Sequence, residues 1–142
     1  MKRVLVVDDD ESVRRLASEV LKQAGYDVVL AVDGQQGLDL LDASFDVLLC
    51  DKSLPFVQGT QVVLEARGRF PRLTTVLMTA SPEALSLSSL GLDGYLAKPF
   101  RSTALLVHTL AAAMDRRAET DRRHAIGAEL SGALAQLARR EH

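Results

Sequence analysis

One cysteine, Cys50, in 142 residues rules out an intrachain disulfide. It sits in an apolar strand pattern, which predicts a buried and inert thiol rather than a reactive one. No apolar stretch approaches the roughly 20 residues that a membrane-spanning helix needs. Lys2 and Arg3 give the chain a basic start, but Asp8, Asp9 and Asp10 interrupt the following apolar run too soon for a signal peptide. A cytoplasmic protein without a membrane partner is expected. The formal charge of -2 is too small for a nucleic-acid binder or an acid-rich solvating chain. No Gly-x-Gly-x-x-Gly follows the first apolar run, and no Walker A lysine motif occurs. Dinucleotide and nucleoside-triphosphate binding thereby lose their main support. The histidines lack metal-partner spacing, and no internal repeat is apparent.

What is present suits a folded domain. Hydrophobic residues make up 47% and charged residues 25% of the chain, and its length allows one domain with a short appendage. Val4 to Val7 is an unbroken apolar run rich in β-branched residues, the mark of a strand covered on both faces. Ser12 is placed to cap a helix whose Val13, Leu16, Ala17, Val20 and Leu21 recur at helical spacing, and Gly25 ends it. Tyr26 to Ala31 reads as a second strand, and Asp33-Gly34 as the turn into a short helix carrying Leu38, Leu40 and Leu41. Val47 to Cys50 is a third strand. Gly59 to Gly68 is helical, with Val62, Val63 and Ala66 inward. Thr75 to Met78 is a fourth strand, and Pro82 stands near the first turn of a fourth helix. Gly94 to Ala97 is a short fifth strand, which Pro99 prevents from extending. Beyond Ser102, a long fifth helix carries Leu105, Leu106, Leu110, Ala113 and Met114. Strands alternating with helices predict a parallel α/β sheet with helices on both faces.

The last two dozen residues differ in kind. Arg116-Arg117 and Arg122-Arg123 bracket Glu119 and Asp121, and read as a solvated helix surface. Ile126, Leu130, Leu134 and Leu137 recur at intervals that put them on one helical face, although Gly127 and Gly132 weaken the helix. This stretch either folds back on the domain, continues the fifth helix, or pairs with a second copy.

In parallel sheets the functional site lies beyond the carboxyl ends of the strands. Asp8, Asp9, Asp51, Thr79 and Lys98 each follow an apolar run, so these ends should converge. Three neighbouring carboxylates repel one another, and a hard divalent cation resolves that repulsion. An all-oxygen set suits Mg²⁺. Carboxylates with a lysine and a threonine, and no histidine or thiol ligand, point to phosphoryl chemistry: a carboxylate attacks phosphorus while cationic and hydroxyl groups balance the equatorial oxygens.

These residues occur in an ordered set: Val6-Val7-Asp8-Asp9-Asp10, Asp51 with Pro55 and Gly59, Leu77-Met78-Thr79-Ala80, and Gly94-Tyr95-Leu96-Ala97-Lys98-Pro99-Phe100. The set resembles the receiver domain of bacterial two-component response regulators, the CheY-like family, over about residues 2–118. The resemblance implies a three-layer α/β/α sandwich with strand order 2-1-3-4-5, a receiver domain over 1–118 and a helical tail or linker over 119–142. It implies that Asp51 is the phosphoacceptor and that Mg²⁺ is held by Asp9, by Asp8 through bound water, by Asp51 and by the backbone carbonyl of Ser53. Thr79 and the Ala80 amide would donate to the phosphoryl group, and Lys98, before a cis bond to Pro99, would pair with it. Tyr95 resembles the switch aromatic. A histidine kinase or histidine phosphotransfer protein is the implied donor. The implied output is a changed surface of fourth helix, fifth strand and fifth helix that controls a partner or a homodimer, with the tail as a second dimerisation element. The family supports phosphotransfer to its own aspartate and self-dephosphorylation, not turnover of a separate substrate.

Departures are local. Lys52 follows Asp51 where the family favours an apolar residue, Gln58 replaces the acid or amide common before Gly59, and Ser53 and Ser81 occupy positions that modulate access of attacking water. Two other classes compete with the switch. A metal-dependent phosphatase would need an acid where Ser53 stands. A phosphorylation-independent interaction module would use the acidic pocket only for metal or stability. Too few residues follow the fifth helix for a winged-helix DNA-binding domain, so the expectation is either a stand-alone switch or the receiver portion of a longer regulator.

Overall fold

The structure is a computed structural model that describes residues 1–81, 91–100 and 102–140. Five strands, β1 (Arg3–Val7), β2 (Asp27–Ala31), β3 (Val47–Asp51), β4 (Thr74–Thr79) and β5 (Gly94–Ala97), form one parallel sheet in the order β2-β1-β3-β4-β5. Its helices are α1 (Glu11–Gln23), α2 (Gly34–Leu40), α3 (Gly59–Arg69) and α4 (Thr103–Arg140). The helix expected after Pro82 lies outside the described residues, so α4 is the fifth helix of the sequence expectation.

Why these runs become central strands is visible in their two faces. Leu5, Val7, Leu48, Cys50 and Leu77 join a core with Val62, Val63 and Ala66 of α3. The alternate residues Val4, Val6, Val47, Leu49, Val76 and Met78 join another with Ala17 and Leu21 of α1 and Leu106 and Leu110 of α4. Each fully buried Val, Leu or Met among them contributes about 1.5–3 kcal/mol. An unbroken apolar run satisfies both faces at once, which is the α/β/α arrangement expected. The inward residues expected of α3 are buried. Leu105 is not inward: it is 41% exposed, because Leu106 and Leu110 take the sheet-facing side of α4.

Helix ends follow local chemistry. Asp10, not Ser12, caps α1, its carboxylate accepting the Ser12 and Val13 amides at 2.8 and 3.4 Å. Both are good capping residues, and the acid wins by reaching both amides. Gly25, at φ +97°, terminates the helix in the left-handed region.

The arginines after Met114 are not uniformly solvated. Arg117 is buried, with Nη1 3.7 Å from Asp93 Oδ1 and Nη2 3.0 Å from Asp121. Arg67 of α3 reaches Asp93 Oδ2 at 3.7 Å, and Arg116 donates to the Asp93 carbonyl at 2.8 Å. Burial raises the Asp93 pKa, and the Thr75 amide and then the charges of Arg117 and Arg67 offset only part of this. Asp93 therefore ties α3 and α4 to the start of β5. Replacing it with Ala takes the carboxylate from Arg67 and leaves Arg117 with Asp121 alone, and urea denaturation should show a loss of about 3 kcal/mol. A loss below about 0.5 kcal/mol would mean that solvent already satisfies those arginines.

The tail continues the fifth helix: α4 runs 38 residues without interruption. Ile126, Leu130, Leu134 and Leu137 are 55–66% exposed along it. Among the described residues, no helix is long and apolar enough to cross a membrane.

Candidate functional site

Two strand ends build the acidic centre. β1 is buried through Val7 and hands on Asp8 and Asp9; β3 is buried throughout and ends on Asp51 itself. Val7 is level with Cys50 across the β1–β3 pair, so the residues that follow emerge together. Ligand oxygens of Asp8, Asp9 and Asp51 lie within 4.8 Å of one another. Asp8 and Asp51 are buried, while Asp9 is exposed.

The third contributor comes from β5. Ala97 is level with Thr79 of β4, and the Lys98 amide donates to the Thr79 carbonyl at 2.9 Å. The Lys98–Pro99 bond is cis, as the resemblance implied. Lys98 Nζ lies 2.8 Å from Asp8 Oδ2 and 3.4 Å from Asp51 Oδ2. Asp8 is further held by the Asp10 amide, which donates to its Oδ1 at 2.9 Å, while Arg14 Nη1 donates to its backbone carbonyl at 2.8 Å.

The charges do not balance within the cluster. Burial raises the Asp51 pKa, the Asp8 charge raises it further, and Lys98 and the Ser53 amide offset only part of this. Burial works to depress the Lys98 pKa, but its hydrogen bond to Asp8 and the charges of Asp8 and Asp51 leave it raised. Three carboxylates against one ammonium leave excess negative charge, a donor set of oxygens alone that fits a hard divalent cation. Burial, with the charges of Asp51 and Asp8, pushes the Cys50 thiol far up, so this buried cysteine is no nucleophile at ordinary pH.

Thr79 ends β4, one residue past Met78, the register partner of Asp51. Its hydroxyl accepts the Ser81 amide at 3.0 Å. Ala80 and Ser53 are exposed, and Lys52 is half-buried. Tyr95 is 45% exposed on β5, the edge strand of the sheet.

Between Asp51 and α3 the chain makes a closed lobe. The Lys52 amide donates to Met78, and the Gly59 amide returns to the Lys52 carbonyl at 3.0 Å. A Cβ on Gly59 would stand 2.0 Å from the Asp51 carbonyl oxygen, so only glycine fits there. At the apex the Val57 amide donates to the Pro55 carbonyl at 2.8 Å across Phe56, whose φ is +67° and whose side chain is 93% exposed. Sequence reading passes over Phe56, because positive φ is ordinarily signalled by glycine or asparagine. It also misses Arg14 and Asp93, whose partners are set by the tertiary fold.

The family model described as the response regulator receiver domain matches residues 4–110. The transcriptional regulatory protein CpxR of Escherichia coli (strain K12) is 37% identical over 114 residues, covering 78% of this chain and 49% of CpxR. The chain thus spans about half the length of the curated relatives it matches. Among solved structures, the Vibrio cholerae chemotaxis protein CheY4 superposes with a TM-score of 0.72 at 34% identity, over 80% of this chain and 98% of that one. The Thermotoga maritima response regulator protein TrrA, crystallised in complex with Mg²⁺-BeF, gives 0.68 at 30% identity, over 79% and 99%.

Proposed function

Since this chain belongs to the response regulator receiver domain family, we propose that it is a phosphorylation switch in which Asp51 accepts a phosphoryl group from a phosphohistidine protein. The supporting observation is the convergence of Asp51 with Asp8 and Asp9 within 4.8 Å, with Lys98 3.4 Å from the acceptor carboxylate. Asp8, Asp9, Asp51 and the Ser53 carbonyl are the residues that would hold Mg²⁺. When bound, the ion neutralises charge on the phosphoryl oxygens. TrrA, with its Mg²⁺-BeF complex, lends this assignment support by relation.

The protein's own groups do the rest. A carboxylate oxygen of Asp51 attacks phosphorus in line, the phosphorus–nitrogen bond to the donor imidazole breaks, and its electron pair leaves with that nitrogen. Lys98 is already within reach of Asp51 and takes a phosphoryl oxygen as a new partner. The Thr79 hydroxyl and the Ala80 amide donate to other phosphoryl oxygens, which draws the β4 end toward Asp51. Tyr95, exposed on the neighbouring strand, turns into the space that this movement opens. The result is a population shift between two packings, read on β5, on α4 and on the helix expected after Pro82. The partner of that surface is a downstream protein or a second copy of the chain, and residues 119–140 carry the signal away from the domain over 1–118. Chemistry is confined to the chain's own aspartate and its later hydrolysis.

Incubation with acetyl phosphate and Mg²⁺ should add one phosphoryl group to the intact mass, and chelation of the metal should prevent it. Borohydride trapping of the acyl phosphate and peptide mapping should place it on Asp51. Labelling elsewhere, or none with Mg²⁺ present, would refute the proposal. Sustained turnover of small phosphoesters would favour a phosphatase instead.

A further inference from the structure

The lobe that leaves Asp51 carries one residue that neither packing nor phosphoryl chemistry explains. Pro55, Phe56 and Val57 form a γ-turn, closed at 2.8 Å, with the central φ at +67°. A γ-turn with positive central φ is rare and strained, and a bulky side chain at its centre adds to the strain. Glycine would hold this turn without that cost. Phe56 recovers nothing from packing, since its side chain is 93% exposed. The lobe beneath it is nonetheless fixed. Leu54 is buried at 3% exposure, Val57 packs against the core, and the Gly59 amide returns the chain to Lys52. A rigid base thus thrusts one aromatic ring into solvent. Backbone strain of this kind persists where function needs it.

The reaction itself limits what can cover the ring. That limit rests on Asp51 being the phosphoacceptor. A phosphohistidine is part of a protein, and its imidazole must come in line with the Asp51 carboxylate. That protein's surface must then lie over the loops rooted at the strand ends, and the Phe56 lobe begins and closes at Asp51 and Lys52. The rim on the Lys98 side is also apolar, where Val13, Leu16, Pro99 and Phe100 line an open pocket of about 210 Å³ with Ser12 and Lys98. A donor shaped to this mouth meets apolar surface on that side as well as the ring. We propose that Phe56 is a preorganised aromatic anchor for the protein phosphodonor and discriminates it from small-molecule donors. A ring already held in place loses little freedom on docking, and such aromatic anchors carry a disproportionate share of interface energy.

The test compares wild type, Phe56→Gly and Phe56→Tyr, using acetyl phosphate and an autophosphorylated histidine kinase found by screening to label the wild-type chain. Phe56→Gly should reduce kcat/KM for transfer from the kinase by about tenfold or more, chiefly through KM. Phe56→Tyr should stay within about twofold of wild type, since the ring is kept. Acetyl phosphate labelling and phosphate lifetime should be unchanged in both. Phe56→Gly should melt at or above the wild-type temperature, because the turn is relaxed. Equal transfer from the kinase to Phe56→Gly overturns the proposal, as does an equal loss with acetyl phosphate, which would put the ring in the site chemistry. Acetyl phosphate labelling of a wild-type chain that no phosphorylated kinase or phosphotransfer protein labels also overturns it. Failure of acetyl phosphate to label Asp51 at all would instead remove the phosphoacceptor reading beneath it.

Discussion

Asp51→Asn should lose all phosphoryl incorporation while its fold becomes no weaker. The amide is nearly isosteric but has no carboxylate to attack phosphorus, so labelling by acetyl phosphate or by a kinase should fall to background. Stability should move in the opposite sense from that of a damaged core. The Asp51 pKa is raised by burial and by the neighbouring Asp8 charge, so its ionised form is disfavoured in the folded protein. Removing the charge relieves that repulsion, and Lys98 retains Asp8 at 2.8 Å. The thermal midpoint at neutral pH should therefore equal or exceed that of wild type, with the gap narrowing as pH falls and Asp51 becomes protonated. A variant that still takes phosphate would move the acceptor to another residue. A sharp fall in the midpoint would instead make Asp51 a structural partner of Lys98.

Gly59→Ala should be the most damaging single-methyl change near the site. The added carbon would meet the Asp51 carbonyl oxygen at 2.0 Å and the Lys52 Cα at 2.7 Å, both backbone atoms with no rotamer to swing aside. Relief requires opening the Gly59–Lys52 hydrogen bond or displacing the end of β3. Overpacking of side chains costs about 1–3 kcal/mol, and a backbone obstacle takes this case beyond about 4 kcal/mol. That is a large part of the stability of a small domain. Chemical denaturation measures the loss, and phosphorylation should fall with it. Ala at Gly127 or Gly132, where a Cβ meets no atom within 4 Å, is the control and should be neutral or stabilising. Near-wild-type stability of Gly59→Ala would show that the lobe yields more easily than its hydrogen bonds imply.

Much of the fold is legible in the chain because its central strands are buried on both faces. Val4 to Val7 and Val47 to Cys50 advertise this as unbroken apolar runs, and the acids that follow them mark where each run leaves the core. Asp8, Asp9, Asp51 and Lys98 are found in this way, since all lie at strand ends. Other features depend on distance or on competition. Asp93 looks like a turn residue until Arg117, far along the chain, is folded against it. Ser12 and Asp10 are both sound capping residues, and only geometry decides between them. Phe56 breaks the usual signal, an aromatic residue standing where the backbone favours glycine. Leu105 and Leu106 are equivalent in composition, and which of them faces inward depends on the rotation of α4.

The uninterrupted course of α4 has a mechanical consequence. Its first turns pack in the core, Arg116 and Arg117 fasten it to Asp93 at the base of β5, and residues 119–140 run on as helix. At 1.5 Å per residue that outer part is a lever about 33 Å long. Each degree of tilt at the fastening carries the far end through about 0.6 Å. A rearrangement of β5 too small to alter the domain's outline would thus be magnified at Leu134 and Leu137. Gly127 and Gly132 then set the stiffness of the arm, and with it the fraction of the movement that reaches the tip.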